Sequence, residues 1–220
     1  MGKIIKKLRE KDVGAIGIGA MIVFIAMVLV AGIAASVLIQ TSGKLEMQAM
    51  KSGTETIAEV ATGIDVEGIE GYNASGAGSI SWLAIEVSPR AGSRQIDLSE
   101  TVIELTDSST KNLFTYNSGN FTPIASIEGD IFTTSFYPRA NATVFGVIVL
   151  EDADGSITSG NPVLNTGDHV MLTVNITEAF SGFGTNVDVS GLVIPEEGAP
   201  GIISFTTPSA FTDIIVELQH

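Results

Sequence analysis

The 220-residue chain has no cysteine, only two histidines (His169 and His220) and a single tryptophan (Trp82). Without cysteine there is no disulfide framework, no thiolate metal centre and no cysteine nucleophile. Two histidines leave little for imidazole-based acid–base chemistry or a zinc centre. Basic residues are scarce as well: 11 Lys and Arg stand against 25 Asp and Glu, for a net charge of −14. Nucleic acid is therefore excluded as a partner, because a phosphate backbone is held by Lys and Arg. The enzyme signatures are also missing. No serine stands in a nucleophile elbow, and no G-x-x-x-x-G-K-[ST] loop is present to cradle phosphate. The Gly-rich stretch 63–78 lacks the following helix that a dinucleotide site requires. These absences exclude an ordinary metabolic enzyme.

What the chain does have begins at its N-terminus. Residues 1–12 carry five basic and two acidic side chains, and then no charge appears from Val13 to Gly43, a run of 31 residues. As a helix that run reaches about 46 Å, enough to cross the ~30 Å hydrocarbon layer of a bilayer. The basic flank places the first segment in the cytoplasm and the rest outside. A secretory signal peptide has a shorter apolar region, of about 7–15 residues, closed by a small-x-small cleavage site. Here the run continues through Ala34-Ala35-Ser36 without a turn signal.

Beyond Gly43 the helical pattern persists. Leu45, Ala49, Gly53, Ile57, Val60 and Ile64 recur at intervals of three or four, while Lys51, Glu55 and Glu59 fall on another face. The pattern predicts one helix from about Gly14 to Ala61, apolar in its first half and amphipathic in its second. Gly17, Gly19, Ala20, Ala26, Ala31 and Ala35 would let helix backbones approach closely. Helix-to-helix assembly accounts for such a sequence better than a passive lipid-facing span.

After Ala61 the composition changes. Residues 62–79 are rich in glycine and read as a hinge. From Ile80 onward short strand-like segments alternate with Gly, Pro, Asn and Asp, and predict an all-β sandwich. The strands fall at about 80–88, 95–105, 111–116, 130–137, 142–151, 168–177, 185–194, 201–207 and 211–218. The cleanest alternation is Val170, Leu172, Val174 and Ile176, and the run Val144 to Leu150 suits a central strand covered on both faces. A phase change near Glu100–Val102 predicts a bulge or break. Trp82, beside Leu83 and Ile85, reads as core.

The run from Gly14 through Ala31 (GAIGIGAMIVFIAMVLVA), continued by Ala34-Ala35-Ser36-Val37-Leu38-Ile39-Gln40-Thr41-Ser42-Gly43, closely resembles the N-terminus of archaeal flagellins, the archaellins of the type IV pilin-like superfamily. The resemblance is strong over roughly residues 12–60. It implies a class III signal peptide cut after glycine by a prepilin-peptidase-like membrane protease, here between Gly14 and Ala15. The mature chain would then carry −17. It implies four regions: a leader at 1–14, a filament-core helix at 15–61, the Gly-rich hinge at 62–79 and an outer domain at 80–220. The expected fold is α+β, a long hydrophobic, then amphipathic helix followed by an all-β, immunoglobulin-like sandwich. The expected function is that of a structural subunit of the archaeal flagellum (archaellum), polymerising through its helix for swimming motility. Its expected partners are other archaellins, the leader protease, the membrane platform and motor, and the cell envelope. An adhesion filament of the type IV pilin-like kind, or a single-pass surface adhesin, are the alternatives.

Two further motifs concern the outer domain. Sequons N-x-[ST] stand at Asn73, Asn120, Asn141 and Asn175, against about two expected from composition. All lie beyond the apolar run, and with the archaellin resemblance they predict glycosylation of at least some, Asn175 on the exposed face of its strand among them. Asp152-Ala153-Asp154-Gly155-Ser156 resembles the opening of a calcium loop, although the twelfth position, Val163, departs from the EF-hand pattern. Asp168 could be brought back by a hairpin. Asp152, Asp154 and Asp168 are thus candidate ligands for Ca²⁺ or another divalent cation, a feature the resemblance also implies. The plainer reading is a ligand-free Asp-Gly-Ser turn.

Overall fold

The structure is a computed structural model and describes residues 2–74, 78–123, 131–133 and 141–220. The chain divides into two compact units, residues 1–54 and 55–220.

The described residues of the first unit are all helical. Helix α1 runs from Gly2 to Ala61, 60 residues, so it begins well before Gly14 and ends where the periodicity predicts. Its large apolar side chains from Ile16 to Ile39 are 53–73% exposed, on every face of the helix.

Among the described residues, the second unit holds the last turns of α1 and twelve strands: β1 (Ile64–Tyr72), β2 (Trp82–Pro89), β3 (Ile96–Asp97), β4 (Val102–Thr106), β5 (Lys111–Thr122), β6 (Val144–Glu151), β7 (Ile157–Thr158), β8 (Asn161–Leu164), β9 (His169–Asn175), β10 (Asp188–Ile194), β11 (Gly201–Thr206) and β12 (Ile215–Gln219). A short helix, α2, spans Ile176–Phe180 between β9 and β10. The expected plan, a long helix followed by a mostly-strand domain, is the plan observed. Nine strands form one sheet in the order β11-β10-β4-β5-β6-β9-β2-β1-β12, and β3, β8 and β7 form a small second sheet. All pairs in the large sheet are antiparallel except β5–β6.

The large sheet wraps around one core, so the facing layers are the two halves of a single sheet. Ile64 and Ile69 of β1, Leu83 and Ile85 of β2, Phe114 of β5, Phe145 and Val147 of β6, Leu172 of β9 and Ile203 of β11 all pack in it. Its two ends meet without a ladder. The Gln219 side-chain amide accepts from the Ser204 N–H (2.7 Å) and donates to the Ile202 carbonyl (3.1 Å), replacing the missing peptide groups between β12 and β11. Strand β6 is central, as its sequence predicts. Phe145, Val147 and Val149 face the core, while Ile148 joins Ala84, Met171 and Phe132 in a second cluster on the outer face. Trp82 packs at the edge of that outer cluster, and Tyr72 stacks on Phe132 with ring centroids 5.2 Å apart.

The reading of 62–79 as a hinge is corrected. Residues Ile64–Tyr72 are β1, paired with β2 on one side and β12 on the other. The glycines there serve close approach rather than freedom: a Cβ on Gly71 would stand 2.9 Å from Ile80 Cδ1 and 3.0 Å from Leu218 Cδ1. The segment entering β1 is clamped. The Thr62 carbonyl accepts from the Ala199 N–H (2.9 Å), and the Gly63 carbonyl accepts from the Arg90 N–H (2.9 Å). The Gly63 N–H donates to Ser93 Oγ (2.9 Å), and the Arg94 N–H donates to Thr62 Oγ1 (3.2 Å).

Other strands differ too: β5 runs on to Thr122 rather than ending near 116, and β7 and β8 form where no strand is expected. The 95–105 segment is broken into β3 and β4, the break that the phase change indicates. In 130–137, Ile131–Thr133 form a 3₁₀ turn, and the rest lies outside the described residues.

Candidate functional site

The first functional element is the surface of α1. At about 100° per residue, Gly17, Ala20, Ala31 and Ala35 fall within one ~60° sector, and Gly19 and Ala26 fall on the opposite side. All six are exposed, and nothing stands within 4 Å of where a Cβ on Gly17 or Gly19 would lie. A shallow apolar furrow lined by Val23, Ala26, Met27, Val30, Ala31 and Ala34 runs along the same helix. Each large side chain exposed there contributes about 1.5–3 kcal/mol when fully buried, so the helix is driven into apolar surroundings. Small residues on opposite sides give it two surfaces of close approach, as a rod packed among other rods needs. Gly14 is exposed on this helix; the side chain of Ala15 lies outside the description.

The second element is the loop between β6 and β7 with the turn before β9. The fold brings Asp152, Asp154 and Asp168 together, with one carboxylate oxygen of each within 4.8 Å of the others. Oxygens sharing one Ca²⁺ at about 2.4 Å cannot stand farther apart than about that distance. Asp168 is fully buried, and its oxygens accept from the backbone N–H groups of Ala153 (3.0 Å) and Asn165 (2.9 Å). Asp152 accepts from the N–H groups of Gly155 (2.8 Å), Ser156 (3.2 Å) and Ile157 (3.3 Å), which shape the tight turn at Gly155, φ +76°. Asp154 is exposed, and hydrogen bonds from the side chain and backbone of Ser156 and from Asn165 hold its carboxyl below the ordinary value. An all-oxygen set of three carboxylates, one of them fully buried, fits a hard divalent cation.

The sequons are placed unequally. Asn141 is exposed, and its Oδ1 accepts from the Thr143 N–H (3.0 Å) and hydroxyl (3.1 Å). Asn73, Asn120 and Asn175 are buried. The expectation that Asn175 is exposed is corrected: it is 4% exposed and caps α2, its Oδ1 accepting from the Glu178 N–H (3.1 Å). The signal was in the sequence, because Asn175-Ile176-Thr177-Glu178 places a capping side chain three residues before an acidic one.

A long helix that is apolar on all sides, continued into a β-rich head, defines a subunit that polymerises by burying its helix. Known proteins narrow that class. The model of the archaeal-type flagellin family matches residues 14–205, and the chain belongs to this family. Flagellin B2 of Methanocaldococcus jannaschii is 43% identical over 220 residues, 99% of this chain and 100% of its own. Flagellin B1 of Methanococcus voltae is 40% identical over 223 residues, 98% of this chain and 99% of its own. Among solved structures, archaeal flagellin FlaB1 from M. jannaschii superimposes with a TM-score of 0.66 at 37% identity, covering 73% of this chain and 98% of that one. The archaeal flagellum of Methanospirillum hungatei strain JF1 gives a TM-score of 0.62 at 16% identity over 93% of this chain and 99% of that one, a likeness of fold. The chain is a structural filament subunit and not an enzyme.

Proposed function

We propose that this subunit is made as a membrane-inserted precursor, cut between Gly14 and Ala15 by a prepilin-peptidase-like protease, and then built into an extracellular filament that a membrane motor turns for swimming. The observation that carries the reading is the exposed, charge-free surface of α1 from Ile16 to Ile39, apolar but for Ser36. Lipid solvates that surface in the precursor, and neighbouring helices cover it in the polymer. The family match opening at Gly14 supports the cut, since the basic leader before it stands outside the matched region. Removing the leader takes five positive charges and two negative ones from the helix end that must enter an apolar core.

Ca²⁺ or a similar cation held by Asp152, Asp154 and Asp168 would fasten the β6–β7 loop to the start of β9. Asn141 is the proposed glycan acceptor among the four sequons, because its side chain alone of the four is exposed. Mass spectrometry of filaments sheared from cells tests the processing and the sugar together. The expected N-terminal peptide begins at Ala15, and the expected sugar is on the Asn141 peptide. A retained Met1 would overturn the processing, and an unmodified Asn141 the glycan assignment. Loss of swimming on deletion, with attachment intact, separates a motility filament from an adhesive one.

A further inference from the structure

The geometry points to a second metal site in the head, formed by Glu67, Glu86 and His169 and suited to Zn²⁺ or a similar borderline transition-metal ion. The three residues are far apart in sequence and come from three neighbouring strands of the large sheet, β1, β2 and β9. Each offers one ligand atom, and these atoms all lie within 4.8 Å of one another.

The local structure explains the convergence. Glu86 is paired with Gly68 on β1 and with Met171 on β9. The β1–β2 register shifts between Val66 and Gly68, so the extra residue, Glu67, turns its side chain to the face that Glu86 occupies. Gly68 puts no side chain between the two carboxylates. Glu67 is held from behind: its Oε1 accepts from the Ser88 hydroxyl at 2.5 Å, leaving Oε2 directed at His169. The His169 Nδ1 to Glu67 Oε2 distance is 3.5 Å, long for a hydrogen bond. It is close to the ~3.4 Å that separates neighbouring ligands around a tetrahedral Zn²⁺ with bonds of about 2.1 Å.

The electrostatics favour a cation. Among the described residues, no Lys or Arg forms an ion pair with Glu67 or Glu86. Glu70, three residues on from Glu67 in β1, has its pKa raised by burial and then by the charges of Glu86 and Glu217, so the negative field reaches its neighbours. An imidazole with two carboxylates selects against Ca²⁺ and Mg²⁺, which take oxygen, and for Zn²⁺ and its neighbours in the series. The ion would join β9, β2 and β1 by their side chains. Ser88 acts as a positioning residue through Glu67.

The test is Co²⁺ titration of the full chain in detergent, with Ca²⁺ in excess to occupy the Asp152 loop, followed by displacement with Zn²⁺. The expected result is one Co²⁺ per chain, with visible absorption of a low-coordinate site that Zn²⁺ abolishes. His169→Gln and Glu86→Gln should each remove it, and Ser88→Ala should weaken it roughly 10-fold or more. Asp154→Asn and His220→Gln should leave it unchanged. No Co²⁺ binding by the parent chain would overturn the assignment. So would a site that survives both His169→Gln and Glu86→Gln, or one that disappears with Asp154→Asn or His220→Gln.

Discussion

Replacing Gly198 by alanine should break the clamp at which the chain passes from α1 into β1. Gly198 has φ +99°, a conformation that costs a non-glycine residue about 1–3 kcal/mol. An added Cβ would also stand 2.2 Å from the Thr62 carbonyl oxygen and 2.6 Å from its carbon, both backbone atoms that cannot rotate aside. Relief requires the two segments to separate by about 1 Å, since ordinary carbon contacts begin near 3.5 Å. That movement loses the Ala199 N–H to Thr62 carbonyl bond (2.9 Å) and the Ile64 N–H to Ala199 carbonyl bond (3.2 Å), each contributing about 1 kcal/mol. The sum is roughly 3–5 kcal/mol. At about 2–4 °C per kcal/mol for a domain of this size, Tm should fall by roughly 6–20 °C. Circular dichroism of the full chain in detergent, followed through the strand signal, measures it. Gly160→Ala is the control, because nothing lies within 4 Å of its Cβ position and its φ is not in the left-handed region. If Gly198→Ala melts with the control, residues 62–63 are not clamped and the argument fails.

Chelation should lower the Tm of the parent head. Ca²⁺ at a hundredfold excess over its Kd should restore about 2.7 kcal/mol, and Asp154→Asn should abolish that response. An equal response in the variant would place the ion elsewhere. Glu70 has a pKa raised above its ordinary 4.5, so the folded state loses stability as pH rises from that value through the raised one. In chelator, Glu70→Gln should therefore melt higher than the parent at ~pH 7 and no higher at ~pH 4; a gain of equal size at both would refute the charge argument. Phe145 is fully buried, with its ring 6.0 Å from that of Tyr116. Phe145→Ala should cost about 3–5 kcal/mol in denaturant unfolding, and a cost under ~1 kcal/mol would show that the site collapses around the cavity.

Much of this organisation was legible in the sequence, for identifiable physical reasons. A 31-residue uncharged run followed by a period of three to four can be satisfied only by a helix, and its end at Ala61 was accordingly clear. The apolar run in β6 expresses burial on two faces, whereas β9, whose alternation indicates one buried face, is covered on both because Met171, Thr173 and Asn175 are buried as well. The Asp152, Asp154 and Asp168 cluster was visible because Asp-x-Asp marks one tight loop and a hairpin returns the third residue. The segment at 62–72 was misread because glycine has two uses that composition cannot separate, freedom in a linker and closeness in a packed strand. Asn175 carries two overlapping signals, a sequon and a helix cap, and burial decides between them. Glu67, Glu86 and His169 left no sequence trace, since their meeting depends on strand order and on a one-residue register shift.

The side-chain join at Gln219 has a consequence for a molecule displayed in many copies. A sheet with open edges offers rows of unpaired N–H and C=O groups, and at the local concentration of a polymer those rows invite strand addition between neighbours. In this head β11 and β12 would be the two edges, and the Gln219 side chain, reaching over from β12, occupies the Ser204 N–H and the Ile202 carbonyl of β11. One amide thus withholds two backbone groups from any foreign strand. Subunits crowded side by side are left to associate through their helices, in an ordered array, rather than through their sheets as an amyloid-like aggregate.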